Sequence, residues 1–252
     1  MNKSKIEWCD MTWNPVTGCL HGCEYCYARR MVSRFSIQTA IPNGEIHMQI
    51  LPPKTIYPYG FDPTFHCYRL DDPRRIKKPK NIFVCSMADL FGDWVPDDWL
   101  ITIFNACTEA PQHVYMFLTK NPERYGQLAE SGILPSGDNY WYGTTTTTAD
   151  MPFWFSDRHN TFVSIEPILG PFEDATDAIS YIDWVIVGAM TGPGATKHRP
   201  PREWIESIST SCSAAGVPLF MKNSLSGVRE KPLIQEHPHP MMAHLGRREK
   251  LP

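Results

Sequence analysis

The sequence predicts an α/β protein whose strands run parallel and form a full or partial barrel. Short, continuous apolar runs recur along the chain, as in strands that are covered on both faces. Segments with helical signals lie between these runs, and this alternation indicates parallel strands joined by right-handed crossovers. About six or seven strand–helix units fit the 252 residues, which favours a barrel over an open sheet.

The predicted strands are several apolar runs, preceded by an irregular strand that contains Pro15. In chain order they cover about residues 12–17, 82–85, 114–118, 140–142, 161–165, 184–187 and 217–221. Helices are predicted at about residues 28–37, 96–109, from 121 onward, 173–181 and 201–215. Pro96 and Pro122 suit a first helical turn, and Gly216 suits the end of the last helix.

Residues 1–225 are predicted to form one domain, and residues 226–252 a C-terminal extension. Within the domain, a segment of about residues 38–80 is rich in Pro, Tyr and His and has no clear period. We predict that it is a long insertion after the first helix. Such an insertion is a candidate lid or substrate loop, and a surface excursion without a role is the alternative.

Charge and hydropathy argue against a protein that coats nucleic acid, a membrane protein and a secreted protein. Lys and Arg number 24 against 27 Asp and Glu, so the net charge is −3, which disfavours a protein that coats nucleic acid. No apolar run approaches the roughly 18–20 residues of a membrane span. The first residues lack the apolar core of a signal peptide. We therefore expect a soluble protein of the cytoplasm without a membrane partner.

Three of the eight cysteines, Cys19, Cys23 and Cys26, form a C-x3-C-x2-C group. In a cytoplasmic chain, such a group indicates metal or redox chemistry rather than disulfides. A 4Fe–4S cluster takes four ligand positions, so three cysteines leave one iron open. Zinc is the alternative, with a fourth ligand from Cys9, His21 or a distant cysteine. Three thiols that bind no metal are the remaining alternative.

Polar residues and glycines follow the predicted strands, at the edge where parallel barrels carry their active sites. At any single strand end, the alternative is that these residues are there only because turns favour polar residues and glycine. The candidate residues after the strand ends are Ser86, Asp89, Lys120, Thr144, Thr146, Glu166, Gly188 and Lys222. Thr144 and Thr146 belong to the segment 143–146, which follows the predicted strand 140–142.

The cysteine spacing, with Tyr25 directly before the last cysteine, resembles the signature of the radical S-adenosylmethionine (SAM) superfamily. More specifically, the chain resembles an uncharacterised, phage-associated, three-cysteine branch of that superfamily. The segments that carry this resemblance are residues 6–19, 23–28, 86–91, 118–124 and 164–171. The sequence departs from the branch at Ala189 and Met190, where an acidic residue is common, and in its shorter gap between the first two cysteines.

The resemblance implies a partial (β/α)6 barrel and one 4Fe–4S cluster held by Cys19, Cys23 and Cys26. SAM would chelate the open iron, and an external donor such as flavodoxin or ferredoxin would supply the electron that cleaves it. The 5′-deoxyadenosyl radical would then abstract a hydrogen atom from the substrate, which the protein shields from water.

The resemblance also implies roles for individual residues. The Tyr25 backbone would meet the adenine, Ser86 and Asp89 the SAM amino group, and Lys120 the SAM carboxylate. The remaining implied roles are the ribose hydroxyls for Thr144 and Thr146, the cofactor for Gly188, and catalysis for Glu166 and Lys222. Ordinary loop chemistry, a structural ion pair at Glu166 and a solvated strand end at Lys222 are the alternatives.

The family context implies a modified nucleobase of the thymine type as substrate, in DNA or as a nucleotide, with isomerisation or carbon–carbon bond formation. Host cytoplasm is then the expected location if the protein is phage-encoded. Basic groups with nearby aromatic residues would suit nucleic acid. Their members are Arg69, Arg74, Arg75, Lys77, Lys78 and Lys80 in the insertion, His198, Arg199 and Arg202 further along, and Arg247, Arg248 and Lys250 near the C-terminus. A radical SAM enzyme acting on a peptide or small metabolite is one alternative. A zinc-stabilised nucleic-acid binding module without catalysis is the other.

Overall fold

A computed structural model of the chain describes residues 1–36, 42–54, 57–173, 175–229, 232–239 and 241. Its strands are β1 Asn2–Lys3, β2 Met11–Trp13, β3 Val16–Thr17, β4 His47–Gln49, β5 Thr64–His66, β6 Asn81–Val84, β7 Val114–Thr119, β8 Tyr140–Thr146, β9 Asn160–Ile165, β10 Trp184–Val187 and β11 Leu219–Met221. Its α-helices are α1 Tyr27–Phe35, α2 Asp72–Arg75, α3 Asp97–Thr108, α4 Glu123–Glu130, α5 Thr176–Ile179 and α6 Arg202–Ala215. The chain divides into two compact units: unit 1 is Met1–Lys5 with Cys9–Pro135, and unit 2 is Ile6–Trp8 with Ser136–Pro252.

Unit 1 contains the strand order β1-β2-β6-β7, in which β2, β6 and β7 run parallel. Strand β6 is apolar apart from Asn81 and is buried along its whole length, as expected for a strand covered on both faces. Helix α3 begins after Pro96, which has extended φ and ψ angles. The helix buries its apolar residues Trp99, Leu100, Ile103, Phe104 and Cys107. Their spacing of three and four residues places them on one helical face.

The predicted insertion is ordered where the structure describes it. Strand β5 pairs antiparallel with β3 and parallel with β4, which gives a small sheet beside the main strands of unit 1. Each of these strands has only two or three residues, so no alternation of polar and apolar residues becomes visible in the sequence. Residues 38–41, 55 and 56 of the predicted insertion, and Ile37 of the predicted first helix, lie outside the described residues.

Unit 2 contains four parallel strands in the order β8-β9-β10-β11. Paired residues of neighbouring parallel strands point to the same side. One side carries the apolar core with α5 and α6, and this core includes Val163, Ile165, Val185, Val187, Leu219, Met221, Ile179, Ile205 and Ile208. The other side carries Phe162 and Trp184, whose rings contact Trp8 at centroid distances of 6.3 and 6.2 Å.

The C-terminal segment is bound to the edge of unit 2. The Met221 backbone N–H donates to the Ile234 carbonyl at 2.7 Å, and Phe220 forms a bridge with Gln235. The Trp184 indole N–H donates to the Glu236 carbonyl at 3.0 Å. The predicted boundary after residue 225 stays a prediction. Of the basic residues near the C-terminus, Arg247, Arg248 and Lys250 lie outside the described residues.

The predicted mixed α/β class with parallel strands is confirmed, and the partial barrel stays a prediction. The end of the last helix is confirmed as well, since Gly216 adopts a left-handed φ of 69° directly after α6. The predicted end of the strand at residue 142 is wrong, because β8 continues to Thr146. The β-branched threonines suit a strand, and residues 141–146 pair with residues 160–165 throughout. In the described part of the chain, no helix is long and apolar enough to cross a membrane.

Candidate functional site

The three-cysteine loop lies in unit 1 between β3 and α1. It begins at Gly18, whose backbone has a φ of 91° and whose N–H donates to the Met87 carbonyl at 2.9 Å. A Cβ atom at this position would lie 2.2 Å from the Asp62 carbonyl oxygen. The close backbone approach and the positive φ both require glycine. This glycine brings Cys19 next to the residues that follow β6.

Hydrogen bonds hold the loop at each of its three cysteines. The Cys19 N–H donates to the Phe61 carbonyl at 3.1 Å, and the Arg29 guanidinium donates to the Cys23 carbonyl at 2.6 Å. The Cys26 sulfur caps α1 and accepts from the Arg29 backbone N–H at 3.4 Å. Because the N-terminus of a helix favours negative charge, α1 begins where a thiolate ligand would be stabilised.

Two side chains between the cysteines, and one directly after them, contact the ends of β6 and β7. The His21 imidazole lies 2.7 Å from Asp89 Oδ2. The Lys120 ammonium donates to the Tyr25 hydroxyl at 3.1 Å and lies 5.4 Å from the centre of that ring. The Tyr27 hydroxyl donates to the carbonyl of Ser86. The structure thus brings together seven of the predicted site residues around one loop, namely Cys19, Cys23, Cys26, Tyr25, Ser86, Asp89 and Lys120.

Asp89 already has a full set of hydrogen-bond donors. Its Oδ1 accepts from the Phe91 backbone N–H at 3.0 Å and from the Thr119 hydroxyl at 2.7 Å. Its Oδ2 accepts from the Lys120 backbone N–H at 2.9 Å and from His21. The predicted contact of Asp89 with the SAM amino group stays a prediction. Ser86 donates its hydroxyl to Asn14 Oδ1 at 3.2 Å, so its predicted contact with SAM also competes with a partner inside the protein.

Burial raises the pKa of the Cys19 thiol to about 12. Besides burial, the Asp89 carboxylate and the other two cysteines of the loop contribute to this raised pKa, whereas a hydrogen bond from the His21 backbone opposes it. Since thiolates and not thiols bind metal, ligation at Cys19 must release a proton, and positively charged iron would favour that release.

The donor set fits a three-thiolate group. Among the described residues, no three His, Cys, Asp or Glu side chains converge as ligands of a single metal ion. A 4Fe–4S cluster does not require such convergence, because each thiolate binds a different iron atom. Half-buried thiols in one anchored loop supply the soft ligands that iron–sulfur clusters take.

A second polar cluster lies in unit 2, where β9, β10 and β11 end. The Lys222 ammonium donates to a carboxylate oxygen of Glu166, and both side chains are half-buried. A Cβ atom at Gly188 would meet Lys222 Cδ at 3.0 Å and Glu166 Cδ at 3.5 Å, so the glycine leaves room for this ion pair. The Ser224 hydroxyl accepts from the Ala189 N–H at 3.0 Å beside it. The structure therefore brings together the predicted residues Glu166, Gly188 and Lys222.

Thr144 and Thr146 lie on the other side of the unit 2 strands. Their partners in the register are Val163 and Ile165, which belong to the core with α5 and α6. The Thr144 hydroxyl accepts from the Trp154 N–H at 3.2 Å. The predicted contact of the two threonines with ribose stays a prediction, but they do not share a side with Glu166.

Sequence reasoning missed Thr145 and Ser164, which pair with each other and point to the same side as Glu166. The period of two residues along β9, from Ser164 to Glu166, is the signal that identifies Ser164. It also missed His21 as a partner of Asp89, for which the sequence carries no signal. Of the basic residues in the insertion, Arg69 donates to the Asn14 carbonyl at 2.8 Å. The Arg74 and Arg75 side chains lie near the carboxylates of Asp71, Asp72 and Glu109.

The fold and these residues define an α/β protein of parallel strands that carries a three-cysteine loop at the strand ends. Residues 3–239 match the family described as "Protein of unknown function (DUF5131)", and the chain belongs to this family. No curated protein matches the sequence. One solved structure that matches the chain is a mutant of spore photoproduct lyase with bound AdoMet and dinucleoside spore photoproduct. It is 9% identical, with a TM-score of 0.49, and the alignment covers 83% of this chain and 75% of that chain.

Proposed function

We propose that this chain is a radical SAM enzyme that binds one 4Fe–4S cluster through Cys19, Cys23 and Cys26. The observation that carries the proposal is the three-cysteine loop. The ends of β6 and β7 hold it through His21 and Tyr25, which lie between the cysteines, and through Tyr27, which follows them. An anchored loop of three thiols with no fourth cysteine close in sequence suits a cluster with one open iron. The proposal includes the partial barrel and the phage-associated branch that the sequence resembles.

When bound, the cluster would supply one electron that cleaves SAM and yields the 5′-deoxyadenosyl radical. The protein's own residues bind and orient the partners of this step. Lys120 carries the positive charge that suits the SAM carboxylate, and it stands beside Tyr25 in the loop. An external flavodoxin or ferredoxin would deliver the electron.

In unit 2, Glu166 and Lys222 form the group proposed to hold the substrate. A half-buried ion pair offers a carboxylate acceptor and an ammonium donor to one ligand. Ser164 and Thr145 add hydroxyls on the same side of the strands. We propose a modified nucleobase of the thymine type as substrate, and a peptide or small metabolite is the second candidate.

The test is anaerobic reconstitution of the full chain with iron and sulfide, followed by dithionite and SAM. We expect a brown protein with about four irons per chain that forms 5′-deoxyadenosine. Cys23→Ala is expected to hold less than about one iron and to form none, because the cluster loses a ligand. Cys67→Ala is the matched control, since Cys67 is also a half-buried free thiol of unit 1 but lies outside the loop.

A colourless protein that binds about one zinc and forms no 5′-deoxyadenosine would overturn the proposal. That result would support the zinc-stabilised binding module instead. A cluster that Cys67→Ala loses as readily as Cys23→Ala would also contradict the assignment of the ligands.

A further inference from the structure

The hydrogen bond between His21 and Asp89 joins the middle of the three-cysteine loop to the ends of two strands. His21 lies two residues after Cys19 and two residues before Cys23. Its partner, Asp89, follows β6 and binds the backbone N–H and the hydroxyl of two consecutive residues at the end of β7, Lys120 and Thr119. A single carboxylate therefore connects the loop, β6 and β7.

Asp89 is a fixed anchor. Its side chain is only 8% exposed, and each of its oxygens accepts two hydrogen bonds. A carboxylate accepts hydrogen bonds and cannot donate them while ionised, so the His21 Nε2 atom is the donor. Four donors around one buried carboxylate define its position and share its negative charge.

The His21 ring is held from a second side. Its centroid lies 4.9 Å from that of Trp94, and the two ring planes meet at 78°. Trp94 itself packs over Gly92, where a Cβ atom would come within 2.3 Å of the indole. The imidazole is therefore confined between an aromatic ring and a carboxylate, and the loop backbone on both sides of it is confined as well.

We propose that His21 and Asp89 are positioning residues that hold the three-cysteine loop ready for its cluster and screen the Asp89 charge from it. This inference rests on the proposed function, because it concerns the same loop. His21 is the loop residue that contacts the carboxylate, and its N–H neutralises part of the negative charge. The Asp89 carboxylate lies 2.7 Å from the ring of His21, which is two residues from Cys19 and from Cys23, so its charge lies next to the loop.

Screening predicts opposite shifts of the cluster's reduction potential in two variants, whereas positioning predicts weaker iron binding in both. His21→Leu removes the donor and leaves the Asp89 charge unscreened, so the reduction potential of the cluster is expected to fall. Asp89→Asn removes the charge, so the potential is expected to rise. Both variants free the loop, and both are expected to bind iron about tenfold more weakly, as partners of metal ligands do when they are lost.

The experiment compares the wild type with His21→Leu, His21→Gln and Asp89→Asn in the full chain. His21→Gln keeps an N–H donor for Asp89 and is expected to restore part of the iron retention. His47→Leu is the matched control, because His47 is also a half-buried histidine that stacks on a ring, Tyr59 at 3.9 Å, and lies 4.0 Å from a carboxylate, Asp62. Three readouts are measured: maleimide labelling of the metal-free protein, iron retention against a chelator, and the reduction potential by electron paramagnetic resonance.

The expected result is faster labelling of the loop thiols and weaker iron retention in His21→Leu and Asp89→Asn, opposite shifts of potential, and no change in His47→Leu. If a reconstituted wild type holds its cluster and the two variants match it in all three readouts, the inference is overturned and the proposed function stands. Potentials that shift in the same direction would overturn the screening role. A wild type that takes up no cluster overturns the proposed function, and with it this inference.

Discussion

Ser164 is a buried side chain that the fold leaves without a hydrogen bond. It is 1% exposed, and its hydroxyl has no partner among the residues that the structure describes. Thr161, three residues earlier in the same strand, is also buried, but its hydroxyl donates to Asp183 Oδ2 at 3.3 Å. The Thr161 hydroxyl therefore stabilises the fold, whereas the Ser164 hydroxyl is available to a ligand on the side of Glu166.

The residue-scale prediction concerns Ser164→Ala. A buried hydroxyl without a partner costs about 1–3 kcal/mol, so its removal is expected to raise the free energy of unfolding by about 1 kcal/mol. Thr161→Val is the control and is expected to lower the free energy of unfolding by a similar amount. Urea unfolding of both variants measures the difference. A loss of stability in Ser164→Ala equal to that in Thr161→Val would show that the Ser164 hydroxyl has a partner in the folded chain.

At the scale of elements, the pairing of β8 with β9 decides which residues of unit 2 share a side. Gly143 pairs with Phe162, and the Phe162 ring covers the glycine. This contact fixes the register, because a shift by one residue would turn every side chain of β8 to the opposite side. The same register places Thr145 on one side of the sheet and Thr144 and Thr146 on the other.

Gly143→Ala tests this register. The new Cβ atom would lie 2.2 Å from the Phe162 ring, which is fully buried and cannot move aside. Overpacking of this kind costs about 1–3 kcal/mol in free energy of unfolding. Gly170→Ala is the control in the same unit, because its nearest atom is a side-chain methyl of Thr148 at 3.0 Å. Chemical denaturation is expected to show the larger loss in Gly143→Ala, and equal losses would argue against the observed packing.

At the scale of the whole molecule, His66 makes the stability of the chain depend on pH. The side chain is 1% exposed in the small sheet of unit 1, where Nδ1 donates to Gln49 Oε1 and Nε2 accepts from the Thr17 hydroxyl. Burial lowers the pKa of His66 to about 3, and the nearby Arg69 charge acts in the same direction. The folded chain therefore keeps this imidazole neutral at a pH where the unfolded chain protonates it.

Because the pKa of His66 is lower in the folded chain than in the unfolded chain, the free energy of unfolding falls as the pH is lowered. Between pH 6.5, the ordinary pKa of histidine, and about 3, the unfolded chain binds one more proton at His66. The stabilisation is complete above pH 6.5 and is lost as the pH falls, by about 1.4 kcal/mol per pH unit. His66→Gln is expected to remove this slope. Urea unfolding of both proteins from pH 7 to pH 4 measures it, and parallel pH profiles would contradict the assignment.

The sequence alone determined the order of the main elements from β6 to β11, with α3, α4, α5 and α6 between them, and the identity of the three-cysteine loop. Continuous apolar runs such as residues 184–187 report burial on both faces, and Gly216 reports a helix end, because both depend on local chain chemistry. The pairing of Glu166 with Lys222 was not predictable, since 56 residues separate them and only their placement at strand ends hinted at it.

Tertiary structure decided what surrounds the cysteines and which threonines face the polar cluster. His21 and Asp89 are 68 residues apart, and their contact exists only because the loop and β6 end at the same place. The side to which Thr144 points depends on where β8 ends and on its register with β9. A run of five identical threonines, residues 144–148, contains no alternation that would predict either. Local sequence determines which residues can form an element, whereas the long-range pairing of elements determines which side chains meet.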